Sequence, residues 1–174
     1  MGPFRLAREA LELSSDRAPD PVHEGESNAM AITVKKATLW RKEVNNRPGI
    51  LASTLEPLSQ AGADLHVVMG YRYPGNESSG AIEIHPVSGK KFITAAQTAG
   101  LVPSSIPTLL VEGDNRAGLG HAIAKAIGDA GINMNFVMAL VVGRRYAAVF
   151  AFDNDADAGK AATLIKNAAT RSKK

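Results

Sequence analysis

"NRPGILASTLEPLSQAGADLHVVM" runs from Asn46 to Met69, and "NRAGLGHAIAKAIGDAGINMNFVM" runs from Asn115 to Met138. The two stretches align without a gap at an offset of 69 positions. Asn46/Asn115, Arg47/Arg116, Gly49/Gly118, Ala61/Ala130, Gly62/Gly131, Val68/Val137 and Met69/Met138 coincide. The shared residues fall where a structural unit needs them: a polar break, a glycine opening a helix, a glycine closing it, and an apolar strand. The chain therefore reads as a duplicated unit.

Working outward, Thr33 to Arg41 reads as a strand and "KEVNNRPG" breaks it. Leu51, Leu55 and Leu58 recur at helical spacing, so Ile50 to Ala61 reads as a helix, with Pro57 a misfit inside it. Strands are expected over 63–73 and 81–87 with the turn-rich "PGNESSG" between them, followed by a helix ending at Gly100. The second unit repeats the order: strand 106–112, helix 119–130, strand 132–142, a tight turn at Gly143, strand 146–152, and a last helix to about Ala169 capped by Asp153 or Asp155. Each unit is β-α-β-β-α, and a ferredoxin-like plan asks for one more strand. "LVPSS" offers it to the first unit. Only "TRSKK" follows Ala169, so the second unit is expected to lack it, leaving an edge that favours pairing of the units and dimerisation. The units are placed at residues 31–104 and 105–174. Residues 1–30, acidic and proline-containing past the first helix-like turn, read as a disordered or leader segment ahead of a start at Met30.

Composition narrows the function classes. The 174 residues are 45% hydrophobic but only 5% aromatic, which gives an aliphatic core. With no cysteine, disulfides, thiolate nucleophiles and cysteine zinc sites are excluded. No apolar run reaches the roughly 20 residues of a membrane span, and residues 1–30 lack a signal peptide's apolar region. A cytoplasmic location is the default, with no membrane partner. The net charge of +3 is a weak nucleic-acid footprint, because Arg171, Lys173 and Lys174 at the C-terminus supply much of the basic excess.

The repeated strand–Asn-Arg-x-Gly–helix element carries the available chemistry. Glycine lets backbone approach a ligand closely, and a first helical turn presents unpaired N–H groups with partial positive charge. That suits a carboxylate, while Asn46 or Asn115 can meet an ammonium, so together they fit the two charged ends of an amino acid. As a plain alternative, Asn and Gly only cap the helix. Strand–"NNRPG"–helix–"QAGADLHVV" and strand–"DNRAG"–helix–"DAGINMNFV" resemble tandem ACT domains, small ligand-binding modules of amino-acid metabolism, over residues 33–169.

That resemblance implies an α+β chain of two tandem ferredoxin-like βαββαβ modules, associating side by side. It implies an amino acid held between a strand–helix loop and the second strand of a neighbouring module. Asn46, Arg47, Gly49 and Ile50 would form one loop, and Asn115, Arg116, Gly118, Leu119 and Gly120 the other. Asp64 and His66, or Asn133 and Asn135, would face the ligand from the strand. Ala117 departs from the proline at Pro48. The second site is favoured, because Gly118-Leu119-Gly120 exposes more backbone and Asn133 and Asn135 are uncharged.

The expected function is a non-catalytic amino-acid sensor without metal or cofactor, acting on a separate regulated protein as a homodimer. A ligand-free assembly module and a nucleic-acid binder on the same sheet are the alternatives. "GLGHAI" lacks the third small residue of a dinucleotide loop, since position 123 is Ile. "RRYAAVFAF" partly matches an RNA-recognition pattern but lacks stacking aromatics at Ala148 and Ala151. The four histidines are too scattered for a metal site.

Overall fold

The computed structural model describes residues 32–170. The leader expected over residues 1–30 and the basic tail from Arg171 lie outside the described residues. Twelve elements follow one another: β1 (Thr33–Ala37), β2 (Trp40–Asn45), α1 (Ile50–Gln60), β3 (Val67–Tyr73), β4 (Asn76–His85), α2 (Lys90–Thr98), β5 (Val102–Pro103), β6 (Thr108–Asp114), α3 (Leu119–Asp129), β7 (Phe136–Val142), β8 (Arg145–Ala151) and α4 (Asp155–Thr170). They form two four-stranded antiparallel sheets, ordered β5-β2-β4-β3 and β1-β6-β8-β7, each carrying two helices. The α+β class and the duplicated ferredoxin-like plan are as the sequence implies.

The stretch from Thr33 to Arg41 is two strands rather than one, and they enter different sheets. A single strand would set Lys36 on the same face as Val34 and Trp40. The break after Ala37 resolves this. Val34 packs against the second core, Trp40 is buried in the first, and Lys36 reaches Asp155 at 3.2 Å. β1 pairs antiparallel with β6, Thr33 opposite Glu112 and Ala37 opposite Thr108. β5 pairs antiparallel with β2 in the first sheet. The expected gap in the second unit is therefore filled by the chain's own first strand. "LVPSS" supplies the short strand β5, as expected.

Boundaries shift for local reasons. The hairpin turn at Pro74-Gly75 is tighter than "PGNESSG" implies, and β4 begins at Asn76. α1 continues through Pro57, whose carbonyl still accepts from Ala61 N–H at 3.1 Å. Asn154, rather than Asp153 or Asp155, caps α4: its side-chain oxygen accepts from Asp157 N–H at 2.9 Å. The four-residue approaches to β3 and β7, read as strand, are loops. Each closes on its neighbour by one bond, His66 N–H to His85 O and Asn135 N–H to Ala151 O, both 2.8 Å.

Two aliphatic cores result, one around Leu58, Ile84 and Leu101, the other around Ile123, Ile127, Phe152 and Ile165. A third, smaller cluster joins the units: Leu39, Met69 and Val149, flanked by Val67, Leu110 and Phe136. The segments crossing between sheets touch there, with Ser104 N–H donating to Leu39 O at 2.8 Å.

Gly113 controls the docking of β1. A Cβ at that position would lie 2.7 Å from Ile32 Cγ1 and 2.9 Å from Ile32 Cα, so any side chain displaces the start of the strand. Gly113→Val is expected to lower stability by about 1–3 kcal/mol, read as a lower urea midpoint. An unchanged midpoint would mean that the β1–β6 ladder adds nothing to stability.

Candidate functional site

Both strand–loop–helix elements are built alike. β2 ends at Asn45 and β6 at Asp114, and α1 and α3 each open on a glycine in the left-handed region, Gly49 at φ 82° and Gly118 at φ 76°. An L-residue with a side chain would be strained there by about 1–2 kcal/mol. Neither helix has a side-chain cap or an acidic residue in its first turn. Ile50 and Leu119 N–H donate to the Arg47 and Arg116 carbonyls at 3.2 Å, and the N–H groups that follow them in the first turn carry their partial positive charge toward solvent. Nothing lies within 4 Å of a Cβ built at Gly49, Gly118 or Gly120, so both helix starts are open.

The loop side chains are not equivalent. Asn46 holds the β3–β4 hairpin, its N–H donating to Ser78 O at 2.8 Å and its Nδ2 to Glu77 O at 3.0 Å. Asn115 makes the matching backbone bond to Arg144 O at 2.7 Å. Arg116 is half-buried, and its Nη2 donates to the carbonyls of Ala168 at 2.9 Å and Ala169 at 3.5 Å, tying the second loop to the end of α4. Its counterpart Arg47 is exposed; its carbonyl accepts from Ile50 N–H at 3.2 Å, and its side chain has no hydrogen bond or ion pair among the described residues. In the first unit Lys42 does the equivalent work, donating to Ala99 O at 2.8 Å just past α2. Leu119 is 2% exposed and anchors the second core, so only its backbone faces the loop. Ile50 is half-buried, and its carbonyl accepts from Thr54 Oγ1 at 2.8 Å.

The strand residues stand apart from the loop of their own unit. Asn45 lies opposite Ser79 and Val67 opposite His85, six residues farther along β4, which is about 20 Å at strand rise. Asp64 and His66 thus sit at the far end of the sheet from Asn46, close to each other at 3.7 Å. Asn135 is likewise remote from Asn115, and its Nδ2 donates to Asp153 at 3.3 Å; Asn133 is exposed. Any site combining loop and strand residues must draw them from different modules.

A cluster that sequence reasoning missed lies on the helix-free face of the first sheet. Arg41 Nη1 donates to Glu83 Oε1 at 3.0 Å, and its Nη2 to Tyr73 Oη at 2.7 Å and Glu43 Oε1 at 3.3 Å. Tyr71 Oη donates to Glu83 Oε1 and Tyr73 Oη to Glu43 Oε1, at 3.0 and 2.9 Å. The Glu83 side chain is 1% exposed, and its Oε2 has no partner among the described residues. Burial first, and the neighbouring Glu83 carboxylate second, push the Tyr71 hydroxyl up to about 12. The clue in the sequence was an acid inside an apolar run, "AIEIH", but its partners stand 12 and 42 positions away.

The RNA-recognition-like stretch gives no base platform: Tyr146, Phe150 and Phe152 point into the second core. Among the described residues no group of His, Asp or Glu is placed to hold a metal, and no helix is long and apolar enough to cross a membrane. β7 is an edge strand of seven apolar residues, with Val137, Met138, Leu140, Val141 and Val142 all exposed.

With two sheets, four helices and paired glycine loops, the molecule has the fold of tandem ACT-type modules. Protein BT0572 from Bacteroides thetaiotaomicron is 12% identical, covering 77% of this chain and 88% of its own, at a TM-score of 0.60. The ligand-free regulatory subunit of aspartate kinase from Thermus thermophilus is 13% identical, over 80% of this chain and 97% of its own, at 0.54. Clostridium acetobutylicum aspartate kinase, an allosteric enzyme, is 18% identical over 83% of this chain but only 35% of its own, at 0.52. Neither a family model nor a curated protein sequence matches the chain.

Removing Arg41 would leave the buried Glu83 carboxylate unpaired. Arg41→Ala is expected to cost about 3–5 kcal/mol, whereas Glu43→Ala, at a side chain 72% exposed, should cost no more than about 1 kcal/mol. Because the folded state raises the Tyr71 value, its contribution is complete below pH 10 and is lost as pH rises toward 12. Urea unfolding across that window should lose stability less steeply in Tyr71→Phe than in the parent. Parallel curves would show that Tyr71 does not titrate with folding.

Proposed function

We propose that the chain is a non-catalytic sensor that binds a free amino acid through its strand–helix loops where ACT-type modules meet, and regulates a separate protein. One observation carries this: the same uncapped helix start, opened by a left-handed glycine, occurs twice in register. A carboxylate is stabilised by such N–H groups, and Asn115, three residues ahead of Gly118, offers an amide oxygen that can accept from an ammonium. The regulatory subunit named among the structural neighbours makes the same role reasonable for this fold. Regulation requires only that the ligand favour one arrangement of the modules over another.

The loop and strand residues of one unit lie at opposite ends of its sheet, so a neighbouring module completes each site. An uncharged edge at β7 supports a second copy as that neighbour. About a two-fold axis through Ala139, antiparallel self-pairing sets Met138 against Leu140 and Val137 against Val141. Natural edges normally carry a charge or proline to prevent such pairing. The chain then works in the cytoplasm as a homodimer. The Arg47 side chain, without a partner among the described residues, makes the first loop as capable of holding a carboxylate as the second.

A thermal-shift screen of the full chain against the twenty amino acids tests the proposal. A ligand at about 100 times its Kd adds roughly 2.7 kcal/mol, a rise on the order of 5–10 °C for a chain of this size. Gly120→Leu should keep or raise the melting temperature of the free protein, because glycine costs a helix up to about 1 kcal/mol, yet remove the ligand-dependent rise. A flat screen points instead to a ligand-free assembly module.

A further inference from the structure

Between the two units lies an open cleft of about 140 Å³ that none of the loop residues lines. Its floor is the helix-free face of the second sheet. Two cross-strand rows of side chains make it: Leu110, Val149 and Met138 in one, and Glu112, Ala147 and Leu140 in the other. His66 and the start of β3 in the first unit, Val67 to Met69, form the wall. The floor and wall are aliphatic, and Val68, Met138 and Leu140 are each more than 40% exposed within or beside it. A guest covering them gains affinity by taking its own apolar surface and theirs out of water. A cavity on the order of 150 Å³ with aliphatic walls encloses about six heavy atoms, room for an aliphatic side chain with its charged ends at the open rim.

Polar groups stand only at the ends. The Glu112 side chain is exposed and has no hydrogen-bond or ion-pair partner among the described residues; Thr33 bonds its backbone carbonyl instead. An ionised carboxylate only accepts, so it selects a donor such as an ammonium. His66, on the opposing wall, is 63% exposed and offers an imidazole that can donate. Apolar walls with an acceptor at one end and a donor at the other match a small zwitterion with an aliphatic side chain.

We infer that the cleft between β3 and the second sheet is a binding site for an aliphatic amino acid of leucine or methionine size, its side chain on the Ala147–Val149 floor and its ammonium on Glu112. This deepens the sensor function and rests on amino-acid binding, but not on the loops. It also gives that binding a mechanical consequence. The occupant touches both units at once, beside the Met69–Val149 contact that joins them, so its affinity depends on their relative position.

Calorimetric titration of the full chain with leucine, methionine, glycine, aspartate and 4-methylpentanoate tests the inference. Leucine or methionine should bind at least tenfold more tightly than glycine or aspartate. 4-Methylpentanoate, which lacks the ammonium, should also bind at least tenfold more weakly than leucine. Ala147→Leu fills the cleft floor without entering a packed core and should weaken leucine binding at least tenfold; Glu112→Gln should weaken it about tenfold. If Gly120→Leu removes binding and Ala147→Leu does not, the loops are the site and the cleft is not. The reverse pattern upholds the cleft and removes the loops. Equal affinity for glycine and leucine, or no heat with any of the five, overturns the inference.

Discussion

Everything else in this molecule depends on where the first strand goes. Five residues, Thr33 to Ala37, leave the unit they precede and complete the sheet of the other. Without them β6 would be an edge with unpaired backbone groups, and the side of the second core covered by Ile32 and Val34 would be open. The return crossing after β5 runs beside the outgoing one, bonded at Ser104 and Leu39. The first unit is therefore held between two segments of the second: its own sheet is contiguous in the chain, and the second sheet is complete only with β1. Leu39, buried at the crossover, turns that connection into a packed joint with Met69 and Val149.

Duplication produced two copies, and the loops show how they diverged. Both kept the left-handed glycine and the open helix start, the features a backbone anion site needs. Each unit also secures the end of its second helix, by Lys42 in the first and Arg116 in the second. Arg116 is thereby committed to α4, and Arg47 is not. The polar investment of the first unit lies elsewhere, in the buried Glu83 and the Arg41 and tyrosine hydroxyls around it. The second sheet has an aliphatic face at the corresponding place, and this asymmetry leaves an apolar cleft on one side of the joint only.

The sequence made the duplication, the helices and the glycine starts legible because these are local patterns: spacing, caps and breakers within a dozen residues. It did not reveal that "TVKKATLWR" divides between two sheets. The only local sign was Lys36, in phase with Val34 and Trp40 where a core-facing residue should stand. Nor did anything near Arg116 in the sequence show that α4 ends beside it, 52 positions later. Asp64 and His66 lie in the loop that leads into β3, and strand polarity sends them to the end opposite the Asn46 loop. What stayed hidden in each case was a contact between residues far apart in the chain.

Interlocking of the two units is the central claim, and unfolding tests it directly. Trp40, the only tryptophan, reports the first core by fluorescence, while far-ultraviolet circular dichroism reports the helices of both units. Followed by both probes in urea, the chain should unfold in one transition with a shared midpoint, since β1 crosses to the second sheet and both units share the Leu39–Met69–Val149 joint. Two separate midpoints, with Trp40 exposed while half the helical signal persists, would contradict the account.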